Sequence, residues 1–103
     1  MTAYVMFRCL QGPDPADFEK YRAAVRETLI PYEVKILSLH PSFKQVEREV
    51  PTHSLALLEF ADMASATAWY ESPEYQKIIP FRTNSGTYEA FIFEGFPPRP
   101  AMA

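Results

Sequence analysis

Along residues 3–10 both alternating sets are apolar: Ala3, Val5, Phe7 and Cys9 on one side, Tyr4, Met6 and Leu10 on the other, with Arg8 the exception. A strand of this kind has both faces covered. Gly12-Pro13-Asp14-Pro15 then reads as a turn into a helix, with Asp14 as N-cap, Pro15 at the first helical position and Asp17 at the positive end of the dipole. Phe18, Tyr21, Val25 and Leu29 recur at helical spacing and predict a core-facing stripe, which Pro31 ends. Residues 35–40 predict a second strand, with Pro41 as the turn after it. Residues 42–50 predict a return strand, and Pro51-Thr52-His53 a loop. Residues 55–60 form a buried strand with Glu59 embedded in it. Asp62 caps a helix through Tyr70. Ser72-Pro73-Glu74 breaks it and starts a second piece of a turn or two, which Pro80 is expected to disrupt. Asn84-Ser85-Gly86 is a turn, and residues 88–94 form the last strand, with Phe91 and Phe93 on one side and Ala90 and Ile92 on the other.

The order strand, helix, strand, strand, helix, strand is the split βαβ, ferredoxin-like pattern of an α+β fold: an antiparallel sheet with helices on one face. We expect a single domain over residues 1–95 and an extended, Pro-rich tail over 96–103. Strands apolar on both faces leave the open face in need of cover. The simplest cover is the same face of a second chain, so a homodimer forming one α+β barrel is expected.

Composition narrows the function classes. The 103 residues are 48% hydrophobic and 15% aromatic, more than one sheet face of a small domain hides. The net charge is −3 and no basic stripe exists, since Lys20, Arg22 and Arg26 share their helix with Asp17, Glu19 and Glu27. That argues against nucleic acid as a partner. No run approaches the ~18 apolar residues of a membrane span, and the opening residues lack the basic-then-apolar pattern of a secretory signal. A cytoplasmic location is expected by default. Cys9 is the only cysteine, which excludes an internal disulfide; as part of a strand pattern it reads as a buried, inert thiol.

The candidate chemistry is sparse. A carboxylate among apolar strand neighbours, as Glu59 is, pairs with a cation (Arg8 or Arg82), stands at an exposed strand end, or carries a raised pKa and serves as an acid or base. His40, at a strand end before Pro41, is a candidate general base or a surface histidine, histidine being the residue type that titrates near neutral pH. His53 reads as a loop residue. The two histidines lie on different elements without paired carboxylates, so no metal site is expected. The glycines are isolated, so no phosphate loop is present, and no nucleophile elbow is readable. Trp69, Tyr70 and Tyr75, with Tyr21 on the first helix, are candidates to stack against a flat ligand or to fill the core. The expected site has Glu59, Arg82, Trp69 and Tyr75 converging on one cavity. Glu59 would be the acid–base group, Arg82 the holder of a substrate oxygen, and the ligand a small apolar or aromatic molecule. Cofactor-free isomerisation, cyclisation or dehydration is one outcome; a non-catalytic carrier or interaction module is the alternative.

The run Leu57-Leu58-Glu59-Phe60, then Met63, Ala64, Ala66 and Ala68-Trp69-Tyr70-Glu71-Ser72-Pro73-Glu74-Tyr75-Gln76, then Pro80 and Arg82, resembles the bacterial domain-of-unknown-function family 1330. Ala3-Tyr4-Val5, Tyr21-Arg22 and Phe93-Glu94-Gly95 fit the same pattern. The resemblance implies a dimeric α+β barrel and no established activity. Where that family places Gly-Gly turns, this chain has Glu33-Val34 and Leu39-His40-Pro41. A weaker resemblance runs to the cofactor-free quinone-forming monooxygenases of the same superfamily, which place a tryptophan and a tyrosine as Trp69 and Tyr75 stand here, with an arginine further on. The asparagine that they place one turn before the tryptophan is Ser65 here.

Overall fold

The computed structural model describes residues 1–97. Its first strand, β1 (Ala3–Gln11), takes an inner place in a four-stranded sheet, with a hydrogen-bonded neighbour along each edge. Helix α1 (Pro15–Leu29) follows, then a 3₁₀ turn (Ile30–Tyr32) and strand β2 (Lys35–Leu39). Strand β3 (Ser54–Phe60), helices α2 (Met63–Glu71) and α3 (Pro73–Thr83), and strand β4 (Thr87–Glu94) complete the order. The sheet runs β2-β3-β1-β4, all antiparallel. This is the ferredoxin-like α+β arrangement that the pattern predicts. Residues 98–103 of the expected tail lie outside the described residues.

Local chemistry places the helix starts. Asp14 accepts from the backbone N–H groups of Ala16 and Asp17, with Pro15 opening α1. Asp62 accepts from the N–H of Ser65. Ser72 stands between α2 and α3: its hydroxyl donates to the Trp69 carbonyl at 2.7 Å and accepts from the Tyr75 N–H at 3.2 Å. Gly12, at φ 105°, brings the β1–α1 turn against the β4 turn so closely that a Cβ would meet the Ser85 carbonyl at 2.6 Å.

Two expectations are corrected. Residues 42–50 form a loop, not a strand. The Gln45 side chain takes up the backbone bonds that a ladder would supply, donating to the carbonyls of Glu47, Arg48 and Val50 and accepting from the Thr52 N–H. Arg48 at φ 77° bends the chain out of extended geometry. Pro80 does not interrupt α3, which runs on to Thr83. The proline is exposed, while Tyr75, Ile78 and Arg82 are buried on one stripe of α3 and hold the helix on the domain. The Asn84 N–H still bonds to the Pro80 carbonyl at 2.8 Å.

Parity along the strands then divides the side chains. Ala3, Val5, Phe7 and Cys9 of β1, with Leu58 and Phe60 of β3, are buried under the helices. Tyr4, Met6, Leu57, Glu59, Phe91 and Phe93 occupy the opposite face by register. Phe91 and Phe93 are 50% and 42% exposed, so that face is apolar and uncovered within one chain.

Candidate functional site

The helix-covered face is filled at one end and hollow at the other. The filled end surrounds Trp69, which is fully buried. Its ring lies 4.0 Å from that of Tyr75, 5.5 Å from Phe60 and, edge-on, 6.3 Å from Phe7. Its Nε1–H donates to Thr28 Oγ1 of α1 at 3.0 Å, so its one polar atom is satisfied inside the core.

The hollow end is a cavity of about 450 Å³ between α1 and the sheet. From α1 come Phe18, Tyr21, Arg22, Val25, Arg26 and Leu29; Phe7 and Cys9 come from β1, and Ile36 and Leu39 from β2 with His40 behind them. Ser54, Leu55, Ala56 and Leu58 of β3, Arg82 of α3 and Tyr88 of β4 complete the wall. Cys9, Tyr21 and Arg82 are buried and mark its inner end; Arg22, Arg26 and His40 are exposed and mark its mouth.

Arg82 is the unusual residue of this wall. It is only 4% exposed, yet among the described residues its Nε–H has no hydrogen-bond acceptor and no carboxylate pairs with it. Its guanidinium carbon lies 4.9 Å from the Phe7 ring and 5.2 Å from the Tyr88 ring, so two aromatic faces share in offsetting its burial. Beside it, the hydroxyls of Tyr21 and Tyr75 are 2.8 Å apart. Burial, reinforced by Tyr75, pushes the Tyr21 hydroxyl well above its ordinary range, against the pull of Arg82. Burial likewise raises Tyr75, with Arg82 opposing. Tyr88 is raised by burial too, with the Ser85 hydroxyl opposing. The inner end therefore holds protonated phenols beside a permanent cation: donors aimed at oxygen, with no carboxylate in the wall.

The sequence-predicted residues are thus divided among three places. Arg82, Tyr21 and His40 meet at the cavity, where His40 turns the chain at φ 48° and sets its ring edge-on to Phe18 at 5.9 Å. Trp69 and Tyr75 lie in the adjoining core, with the Tyr75 hydroxyl reaching the site through both Tyr21 and Arg82. Tyr70 is half-buried against Tyr75, with ring centroids 5.5 Å apart, and does not line the cavity. Glu59 does not converge with Arg82: by register it faces the opposite side of the sheet, next to Tyr4, and its partner is Lys35 at 3.8 Å rather than Arg8 or Arg82. Arg8 pairs instead with Glu89 at 3.2 Å. Sequence reasoning missed Tyr88 and the mouth arginines Arg22 and Arg26. The arginines carry a readable signal, standing four residues apart and each next to a cavity residue of the α1 stripe. Among the described residues no His, Cys, Asp and Glu side chains gather as a metal site, and no helix is long and apolar enough to cross a membrane.

Comparison with known proteins fixes the family. The model of the domain of unknown function DUF1330 matches residues 2–96. The chain belongs to the DUF1330 family. No curated protein matches it. Solved structures similar to this DUF1330 chain include RPA0582, a protein of unknown function from Rhodopseudomonas palustris, at 8% identity and a TM-score of 0.68 over 93% of this chain and 84% of that one. A dimeric ferredoxin-like protein of unknown function from Jannaschia sp. CCS1 is similar at 13% identity and a TM-score of 0.67, over 92% of this chain and 100% of that one. SnoaB, a cofactor-independent oxygenase from Streptomyces nogalater, is similar at 15% identity and a TM-score of 0.60, over 97% of each chain. At these identities the likeness is one of fold.

Proposed function

We propose that this protein is a homodimeric α+β barrel that binds a small, largely apolar or aromatic molecule in the cavity beneath α1, with an oxygen of that molecule held by Arg82 and Tyr21. The observation that carries this reading is the buried Arg82 guanidinium, whose Nε–H has no acceptor at the inner end of an apolar cavity. A buried charge without a counter-charge is costly, and a ligand oxygen would relieve it. The dimer rests on the uncovered face of Tyr4, Met6, Leu57, Phe91 and Phe93, and on the dimeric state of the similar Jannaschia protein.

Binding is the firmer half of the proposal. A guanidinium beside a protonated phenol also favours negative charge developing on a carbonyl oxygen, as in enolisation. Cofactor-free isomerisation, cyclisation or dehydration would follow if a base reached the neighbouring carbon. With Glu59 on the other side of the sheet, His40 at the cavity mouth is the candidate base. Oxygenase chemistry of the kind named for SnoaB is less well supported, because Ser65 lies in the first turn of α2, outside the cavity lining. The test is thermal unfolding of the dimer against a panel of neutral and anionic aromatic compounds. Stabilisation by some of them, lost in Leu58→Trp, which fills the cavity, supports the reading; a panel with no binder of either kind removes it. Light scattering should give twice the 11.8 kDa chain mass, and a monomer at micromolar concentration would remove the dimer.

A further inference from the structure

We infer that the cavity selects organic anions: its ligand is an aromatic or similarly flat acid whose deprotonated oxygen enters first and meets Arg82. This rests on the binding reading above and adds the ligand's charge and direction to it.

The chain as a whole is acidic, at −3, yet the cavity wall holds three arginines, a histidine and no carboxylate. The arginines are arranged along its length. Arg82 is buried at the inner end, where only a group that enters the cavity can meet it. Arg22 and Arg26 stand at the mouth. Arg22 is loosely paired with Glu19 at 3.7 Å, while Arg26 has no acidic partner among the described residues. Two exposed cations over an apolar channel draw in an anion and raise its local concentration, and a buried one holds it. A charge-assisted hydrogen bond from a desolvated guanidinium is about twice as strong as a neutral one.

The opposite direction of entry is disfavoured by what lies outside. The cavity continues past Arg26, Leu29 and Ile36 into a shallower groove lined also by Ile30, Glu33 and Val34. That groove is mostly apolar and carries the one carboxylate of the continuous surface, Glu33. With Glu33 set against Arg26 it offers no net positive charge, so it suits the uncharged body of a long ligand better than an acid group. The charged end therefore points inward.

The experiment is isothermal titration of the dimer with 2-naphthoate and with its neutral isostere 2-naphthamide, repeated on Arg82→Met, whose fold is confirmed by circular dichroism and light scattering. Naphthoate is expected to bind at least about tenfold more tightly than the amide, the ratio that a charge-assisted bond supplies. In Arg82→Met the naphthoate advantage should fall to about twofold or less, because naphthoate loses a charge-assisted bond where the amide loses only a weaker one. Equal binding of the two by the parent protein overturns the charge selection and leaves the binding reading standing. So does a naphthoate preference that survives in Arg82→Met, because the anion is then held elsewhere. Binding of neither compound overturns both.

Discussion

The two ends of the helix-covered face are built from the same residue types and do opposite things. At the α2–α3 end, Trp69, Tyr75, Phe60 and Phe7 close on one another, and each polar atom finds a partner: the indole N–H meets Thr28, and the Tyr75 hydroxyl meets Tyr21. At the α1–β2 end, Phe18, Val25, Leu39 and Leu58 stand around empty space, and the buried Nε–H of Arg82 meets nothing. Aromatic side chains stand at both ends, and in the solid part they close on one another. An unsatisfied cation marks the part left open. The difference separates the part that holds the fold together from the part that we propose receives a ligand.

Mutations at the two ends should therefore differ in kind. Trp69→Ala empties the filled end and should cost about 3–5 kcal/mol, the range for a buried large aromatic, read from chemical unfolding; a cost under about 1 kcal/mol would mean that the core there is already loose. Ser72→Ala removes the buried cap between α2 and α3 and should cost about 1.5 kcal/mol, seen as a lower Tm. Tyr21→Phe lies on the boundary and should cost about 1 kcal/mol through the lost hydroxyl pair. It also has a pH signature. Tyr21 and Tyr75 hold their protons more tightly in the folded chain than at their ordinary value of 10.0. Above that pH the folded state binds more protons than the unfolded one, so stability falls as pH rises. Tyr21→Phe should flatten that alkaline decline, and an unchanged decline would place its cause elsewhere. The smallest stability effect belongs to Arg82→Met, under about 1 kcal/mol, because relief of a buried charge offsets the loss of two ring contacts. A loss as large as that of Trp69→Ala would make Arg82 a structural residue and erase the contrast between the ends.

Much of the fold was legible because its signals are local. Asp14, Asp62 and Ser72 each cap the helix expected of them, since a short polar side chain next to free N–H groups needs no tertiary context. The strands and the ferredoxin-like order follow from apolar pattern in the same way. Residues 42–50 were not legible: a ladder depends on a partner strand, and one glutamine side chain can replace it. Pro80 misled because losing one helical bond weighs less than the burial of Tyr75, Ile78 and Arg82 on the same helix. The site was half legible. Arg82, Tyr21 and His40 do line one cavity. Glu59 does not: Leu58 and Phe60 flank it in sequence and face the core, and strand alternation puts the residue between them on the other side. Trp69 and Tyr75 pack into the core, and pattern alone does not tell a packed ring from one that borders a void.

The central claim, that the Arg82 guanidinium is held ready for a ligand oxygen, is tested most directly by the proton–nitrogen NMR signal of its Nε–H. In the free protein this proton has no acceptor among the described residues. On titration with 2-naphthoate the account predicts a downfield shift of this signal that saturates together with the calorimetric binding curve. A naphthoate complex that forms while the Arg82 Nε–H signal stays in place would contradict it.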